Sequence, residues 1–191
     1  MSYEPPRRVR GLLLTPEDKE APARAERLRR LGLADRPDPA LDVVARHLAG
    51  HTGAPYAMVD FVGEDRQFFA GLCVPPVAPF VREDGSAARL GRTLPRDHGF
   101  CPHVVVRRKA LVLEDVRDYP RFAGNPVVDE YGIHAYLGAP LTDSSGMVLG
   151  TVCAMDTEPR VWGRAALETV KALAAELVGR LERGAEDGLS P

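Results

Sequence analysis

The residues of this chain with the densest chemistry lie in HGFCPHVVV, residues 98–106, where His98 and His103 flank Cys101. A thiol and an imidazole two residues apart suit four different roles. They can be a ligand pair for a metal, or a thiol with its base in nucleophilic catalysis. Cys101-Pro102 is also a dipeptide of regulatory haem sites, where the thiolate is an axial ligand. The fourth role is packing, with a histidine hydrogen-bonded to a loop carbonyl. A structural zinc site needs four ligands and usually a second close cysteine pair, and no such pair is visible.

A domain of ordinary size must position these groups. The chain has 191 residues, 45% hydrophobic and 27% charged, with a net charge of -2 and a pI of about 6.2. That is a globular composition, with no basic excess to draw nucleic acid or an anionic membrane. No apolar run approaches the ~20 residues of a membrane span. The three leucines near the start fall short of the ~7–15-residue core of a signal peptide. Three cysteines make no disulfide framework and suit a reducing compartment. A cytoplasmic protein is expected, with neither nucleic acid nor membrane as partner.

Residues 1–22, with four prolines and both signs of charge, read as a flexible N-terminal arm. ARAERLRRLGL has helical character, with Leu28 and Leu31 on one face and arginines on the solvated remainder. A second helix over roughly 40–53 carries Leu41, Val44, Ala45, Leu48 and Ala49 at amphipathic spacing, and Gly50 or Gly53 ends it. YAMVDFV (56–62) and RQFFAGLCV (66–74), separated by GED, read as a hairpin. Residues 75–97 hold four prolines and no sustained period, too long for an ordinary loop. A lid, a binding loop or a disordered segment would fit.

After HGFCPHVVV, KALVLEDV reads as a strand and RDYPRFAGNPVVDEYG as a loop with a short helix. AYLGAPLT (135–142) and MVLGTVCAMD (147–156) form a second hairpin through DSSG. The last strand is apolar at nearly every position, so both faces should be covered. In the helix expected over 161–184, Leu167, Val170, Ala174, Leu177 and Leu181 step by threes and fours. That seam fits either a coiled coil or packing on the chain's own sheet. Residues 185–191 read as a disordered tail. Adjacent strands with helices at the two ends argue an α+β fold with an antiparallel sheet. No glycine-rich phosphate cradle follows a strand.

Four segments, in order and over roughly residues 27–182, together resemble the GAF domain of bacterial signalling proteins. They are RLRRLGLADRPDPALDVVARHLAGHTGAPYAMVDFVGEDRQFFAG, LPRDHGFCPHVVV, VLEDVRDYPRFAGNPVV and GIHAYLGAPLTDSSGMVLGTVCAMD. Phe68 stands where the family usually has tryptophan, and the interval from Phe69 to Leu94 is longer than the family's. The resemblance implies a GAF/PAS-like α+β domain over residues 23–184. A central antiparallel sheet of five to six strands would carry the terminal helices on one face. A pocket covered by loops and short helices would lie on the other.

The resemblance also implies a non-enzymatic, small-molecule-sensing regulatory module, homodimeric through its terminal helices. With no kinase, cyclase or DNA-binding segment attached, its output would pass to a separate signalling partner. The pocket candidates are Phe69, His98, Phe100, Cys101, His103, Phe122, His134, Tyr136 and Gly138. The last three share one face by strand alternation. No catalytic or metal-binding residue is assigned, and no cofactor is required. Arg66 and Asp115 match family positions as a buried pair or loop caps.

Two alternatives stay open: a haem or redox sensor using Cys101 with His103 or His98, and a ligand-free dimerisation scaffold. Free methionine-sulfoxide reductases are also GAF proteins. Their attacking cysteine falls in the segment corresponding to RFAGNPVV, which has none here, and Cys73 and Cys153 lie on expected strands as buried thiols. The Cys-His of bilin-binding members is interrupted by Pro102. The constellation of cyclic-nucleotide members is reduced to Phe122 and Asp129-Glu130.

Overall fold

The computed structural model describes residues 8–9, 12–13, 15–33, 35–77, 80–82 and 85–187. Near the start, β1 (Arg8–Val9) and β2 (Leu12–Leu13) pair antiparallel. Prolines then open both leading helices, their fixed φ suiting the first turn. Helix α1 spans Ala21–Arg30. Helix α2 (Pro39–Thr52) begins where the Asp38 carboxylate accepts the Ala40 amide at 2.8 Å, and it ends on left-handed Gly53 at φ 69.

The strands follow as β3 (Tyr56–Val62), β4 (Arg66–Cys73) and β5 (Thr93–Pro95). Helix α3 (Cys101–Arg107) and β6 (Leu111–Leu113) come next. A 3-10 turn at Val116–Asp118 leads into α4 (Pro120–Ala123) and α5 (Pro126–Tyr131). The chain continues through β7 (Ala135–Thr142), β8 (Val148–Asp156) and α6 (Gly163–Asp187). The six strands from β3 onward form one antiparallel sheet in the order β5-β4-β3-β8-β7-β6.

Alternation along the central strands splits the interior into two cores. One face presents Ala57, Val59, Ala135, Leu137, Ala139, Val152 and Ala154 to α1, α2 and α6. The other presents Met58, Phe69, Tyr136, Cys153 and Met155 to α3, α4, α5 and the connecting loops. Both hairpins and the α+β layering follow the expected pattern. β3 and β8 run unusually close at Gly150, where an added Cβ would stand 1.8 Å from the Asp60 carbonyl oxygen.

The seam of α6 is spent within the chain. Val170, Ala174 and Leu177 are buried in the helix-side core, and Leu167 and Leu181 pack against it. Small alanines on the sheet let the helix settle closely, and each fully buried large apolar side chain contributes roughly 1.5–3 kcal/mol. Trp162 pins the start of this helix to the sheet by donating Nε1–H to the Leu113 carbonyl at 3.1 Å. Arg160 holds the preceding turn, pairing with Asp156 and donating to the Thr52 and Gly53 carbonyls.

Three expectations change at the edges. Of the expected flexible arm, residues 15–20 pack on the domain and Ala21 opens α1. Thr15 is buried and donates to the Asp97 carbonyl at 3.1 Å, and Asp18 bridges Arg24 and Arg96. Residues 1–7, 10, 11 and 14 of that arm, and 188–191 of the expected tail, lie outside the described residues; residues 185–187 continue α6.

The segment 75–97, expected to lack elements, contributes β5 and a tight turn with Arg82 N–H donating to the Ser86 carbonyl at 2.9 Å. It is fixed by isolated anchors. Leu90 and Leu94 enter the loop-side core, and the Phe80 ring lies against Gly132, where a Cβ would meet it at 2.5 Å. Arg66 and Asp115 do not pair: Arg66 reaches Asp35, while Asp115 caps the 3-10 turn and holds Arg117.

Candidate functional site

The loop-side face gathers most of the expected pocket residues. Gly99, at φ 78, turns the chain into α3 and is clasped by the buried Asn125 amide. Asn125 Oδ1 accepts the Gly99 N–H and Asn125 Nδ2 donates to the Gly99 carbonyl, both at 2.8 Å. Gln67, also buried, donates to the Pro95 and His98 carbonyls at 2.9 and 2.6 Å. These contacts lay the start of α3 across the sheet.

Phe100 and Cys101 then point into the centre. Phe100 meets Phe122 and Tyr136 edge-on, with centroids 5.8 and 5.3 Å apart. Tyr136 stands over Gly138, where any side chain would collide with its hydroxyl. Phe69 lies in the same core.

The two groups that opened the question face different ways. Cys101 Sγ accepts the Tyr136 hydroxyl at 3.4 Å and lies 3.7 Å from Cys153 Sγ. His103 is buried against Phe122, ring centroids 4.9 Å apart. Residues two apart on a helix project to opposite sides, so Cys101 and His103 do not converge on one ligand atom. His98 sits at the rim, with Nδ1 2.9 Å from Asp97 and Nε2 3.3 Å from Glu130. His134 is half-buried outside β7, close enough to Asp115 to act on its carboxylate. Among the described residues no three His, Cys, Asp or Glu side chains are grouped to hold a metal ion.

Beneath Cys101 lies a group absent from the expected site. Asp60 sits at a bulge of β3, facing Thr151 of β8 in register, and is fully buried. Neither its carboxyl oxygens nor Thr151 Oγ1 makes a hydrogen bond of normal geometry, though the Cys101 thiol acts on the Asp60 carboxyl and Thr151 acts on that thiol. Burial, reinforced by Cys101, pushes the Asp60 acid well above the usual carboxylate range, and the Arg24 charge opposes this.

Arg24, itself fully buried, donates Nε–H to the Val62 carbonyl at 2.7 Å and pairs with Asp18. The contact with Cys153 and burial raise the Cys101 thiol, and burial raises the Tyr136 phenol. Cys101 and Tyr136, whose ordinary values already lie above neutrality, are therefore held protonated, and Cys101 is a poor nucleophile as it stands.

Cys153, expected as a buried inert thiol on a strand, is the neighbour of Cys101, 52 residues away in sequence. That separation gives no local signal. Asp60 did leave one: an aspartate amid YAMVDFV, a run apolar enough to be covered on both faces. The side chains of Phe100, Cys101, Phe122 and Tyr136, none more than 5% exposed, occupy the space above it.

Among solved structures, the fold matches the GAF domain of a phosphoenolpyruvate-protein phosphotransferase from Coxiella burnetii. The TM-score is 0.59 at 16% identity, covering 90% of this chain and 98% of that one. It also matches the free methionine-R-sulfoxide reductase of Neisseria meningitidis in complex with its substrate. There the TM-score is 0.57 at 18% identity, over 88% and 93% of the two chains.

A curated relative, the cyclic di-GMP phosphodiesterase PA2567 of Pseudomonas aeruginosa, is 28% identical over 150 residues. That alignment takes in 76% of this chain but 22% of the relative, so the chain spans about a fifth of that protein's length. No described helix is long and apolar enough to cross a membrane. The sequence profile of the GAF domain matches residues 36–181, and the chain belongs to the GAF domain family.

Proposed function

We propose that this GAF domain is a non-enzymatic sensor of a small molecule, which acts at the loop-side face and reports through a separate signalling protein. GAF domains are generally small-molecule-binding regulatory modules. The observation that carries the reading is the buried polar set of Asp60 and Thr151 beneath α3, which makes no side-chain hydrogen bond of normal geometry and whose nearest thiol is Cys101. A polar group buried without a hydrogen bond costs roughly 1–3 kcal/mol, so a ligand that reached and paired these groups would recover that cost. The protonated Cys101 thiol weighs against nucleophilic catalysis. The partial match to a cyclic di-GMP phosphodiesterase supports a signalling context.

The close packing of Phe100, Phe122 and Tyr136 favours a second reading, a ligand-free interaction scaffold. Homodimerisation, in either reading, would draw on surfaces other than the α6 seam, which is already packed on the sheet.

A thermal-shift screen with a metabolite panel separates the readings. A ligand present at 100 times its Kd stabilises the native state by about 2.7 kcal/mol, about 5–10 °C for a domain of this size. A shift of that order, lost in Asp60→Asn, supports the sensor. No shift across the panel supports the scaffold. Turnover of free methionine sulfoxide with a dithiol reductant would overturn the non-enzymatic reading.

A further inference from the structure

We propose that the groove between α6 and strands β6 and β7, on the opposite face from α3, binds a small amphipathic anion, an apolar body with a single carboxylate head. The groove encloses about 570 Å³, within the ~300–1,000 Å³ of small-molecule sites. Its origin is in the packing. Helix α6 lies mainly over β7 and β8, while β6 is the last strand of the sheet and borders the helix only across the groove. Where α6, β7 and β6 meet, the side chains are Ala174, Ala139 and Ala110, too small to close the gap. Val112 and Leu167 complete an apolar floor.

The rim is cationic. Arg108 ends α3 in the left-handed region, at φ 55, which brings it and Lys109 to one side of the groove, with Lys171 of α6 on the lining as well. Arg108 is held by the Gly146 carbonyl at 2.9 Å and by Glu20. Lys171 lies 3.3 Å from Glu168. Lys109 is exposed and makes no ion pair among the described residues. Among the described residues, these three cations against two carboxylates leave one positive charge beside an apolar trough. That arrangement suits one anionic head and a hydrocarbon or aromatic body. A neutral apolar molecule would leave Lys109 unanswered, and a dianion would exceed the available charge.

Decanoate below its micellar concentration is the probe, titrated into the full chain and followed by amide chemical shifts. Binding should move residues 108–112, 139–142 and 167–175. The double substitution Lys109→Glu and Lys171→Glu should weaken decanoate about tenfold, the scale of two exposed charge contacts, and leave decanol binding unchanged. Ala175→Trp, an exposed position on the groove wall, should block both probes. Shifts confined to Phe100, Phe122 and Tyr136, equal decanoate affinity after charge reversal, or a dimer that covers the groove and excludes decanoate would each overturn the proposal.

Discussion

Replacing Asp60 with asparagine distinguishes two states of the buried carboxyl. Asp60 is fully buried, with neither oxygen in a hydrogen bond of normal geometry, and burial holds its acid well above the usual range. The opposing charge, on Arg24, is already engaged by Asp18 and the Val62 carbonyl. With the proton retained, the folded chain carries one more proton than the unfolded chain from the ordinary aspartate pKa of ~3.9 up to the raised one. The contribution of Asp60 is therefore whole below the unfolded pKa and declines as pH rises through that window. The decline is about 1.4 kcal/mol per pH unit, the worth of one proton. Asparagine does not ionise. Relative to wild type, Asp60→Asn should gain stability by that amount per unit from about pH 5 upward, until the folded carboxyl itself titrates. Urea denaturation of both proteins at pH 5, 6, 7 and 8 measures the difference, in which the other carboxylates cancel. A pH-independent difference would refute the reasoning. So would a loss of about 3–5 kcal/mol at neutral pH, the cost of breaking a buried ion pair; either result would make Asp60 an ionised partner of Arg24.

Two further outcomes test the packing. Phe100→Ala removes a fully buried ring and both its edge-on contacts. It should cost about 3–5 kcal/mol, read as a lower urea midpoint, and a loss below about 1 kcal/mol would mean that the face is loosely filled. Gly150→Ala sets a methyl against the Asp60 carbonyl, backbone that has no rotamer to yield. A destabilisation of about 4–5 kcal/mol or outright failure to fold is expected, whereas near-wild-type amide protection in β3 and β8 would contradict the spacing of those strands.

The strands, both hairpins and the leading helices were legible because each is set by local pattern: alternating or continuous apolar runs, amphipathic spacing and turn residues. The α6 seam was legible only as a seam. A three-four repeat specifies a stripe but not the surface that covers it, and the answer lies in the alanines of β3, β7 and β8, far off in sequence. The segment 75–97 showed no period because it is held by single anchors, Phe80, Leu90 and Leu94, rather than by a repeating face. Cys101 was expected at the wall of a pocket on the loop-side face, with its facing open, and its neighbours Cys153 and Asp60 arrive through strand pairing. His103 belonged with Cys101 in sequence and is parted from it by the turn of one short helix.

That packing also sets the terms on which any ligand reaches Asp60. Helix α3 lies above it, tethered by the reciprocal Asn125–Gly99 amide pair and by the two Gln67 bonds. Lifting the start of α3 breaks the two Asn125–Gly99 bonds and the Gln67–His98 bond, worth roughly 0.5–1.5 kcal/mol each, so the open state lies roughly 1.5–4.5 kcal/mol above the closed one before any aromatic contact is lost. A ligand must prefer the open state by more than that to shift the population. Under the proposed reading, the ligands able to do so would be those that give the Asp60 carboxyl and the Thr151 hydroxyl better hydrogen bonds than the closed state does. A purely apolar molecule of the same size would have to displace Phe100 while leaving Asp60 unpaired. The buried polar set under α3 is thus what would make the face selective, and the tethers above it are what would make its opening a signal.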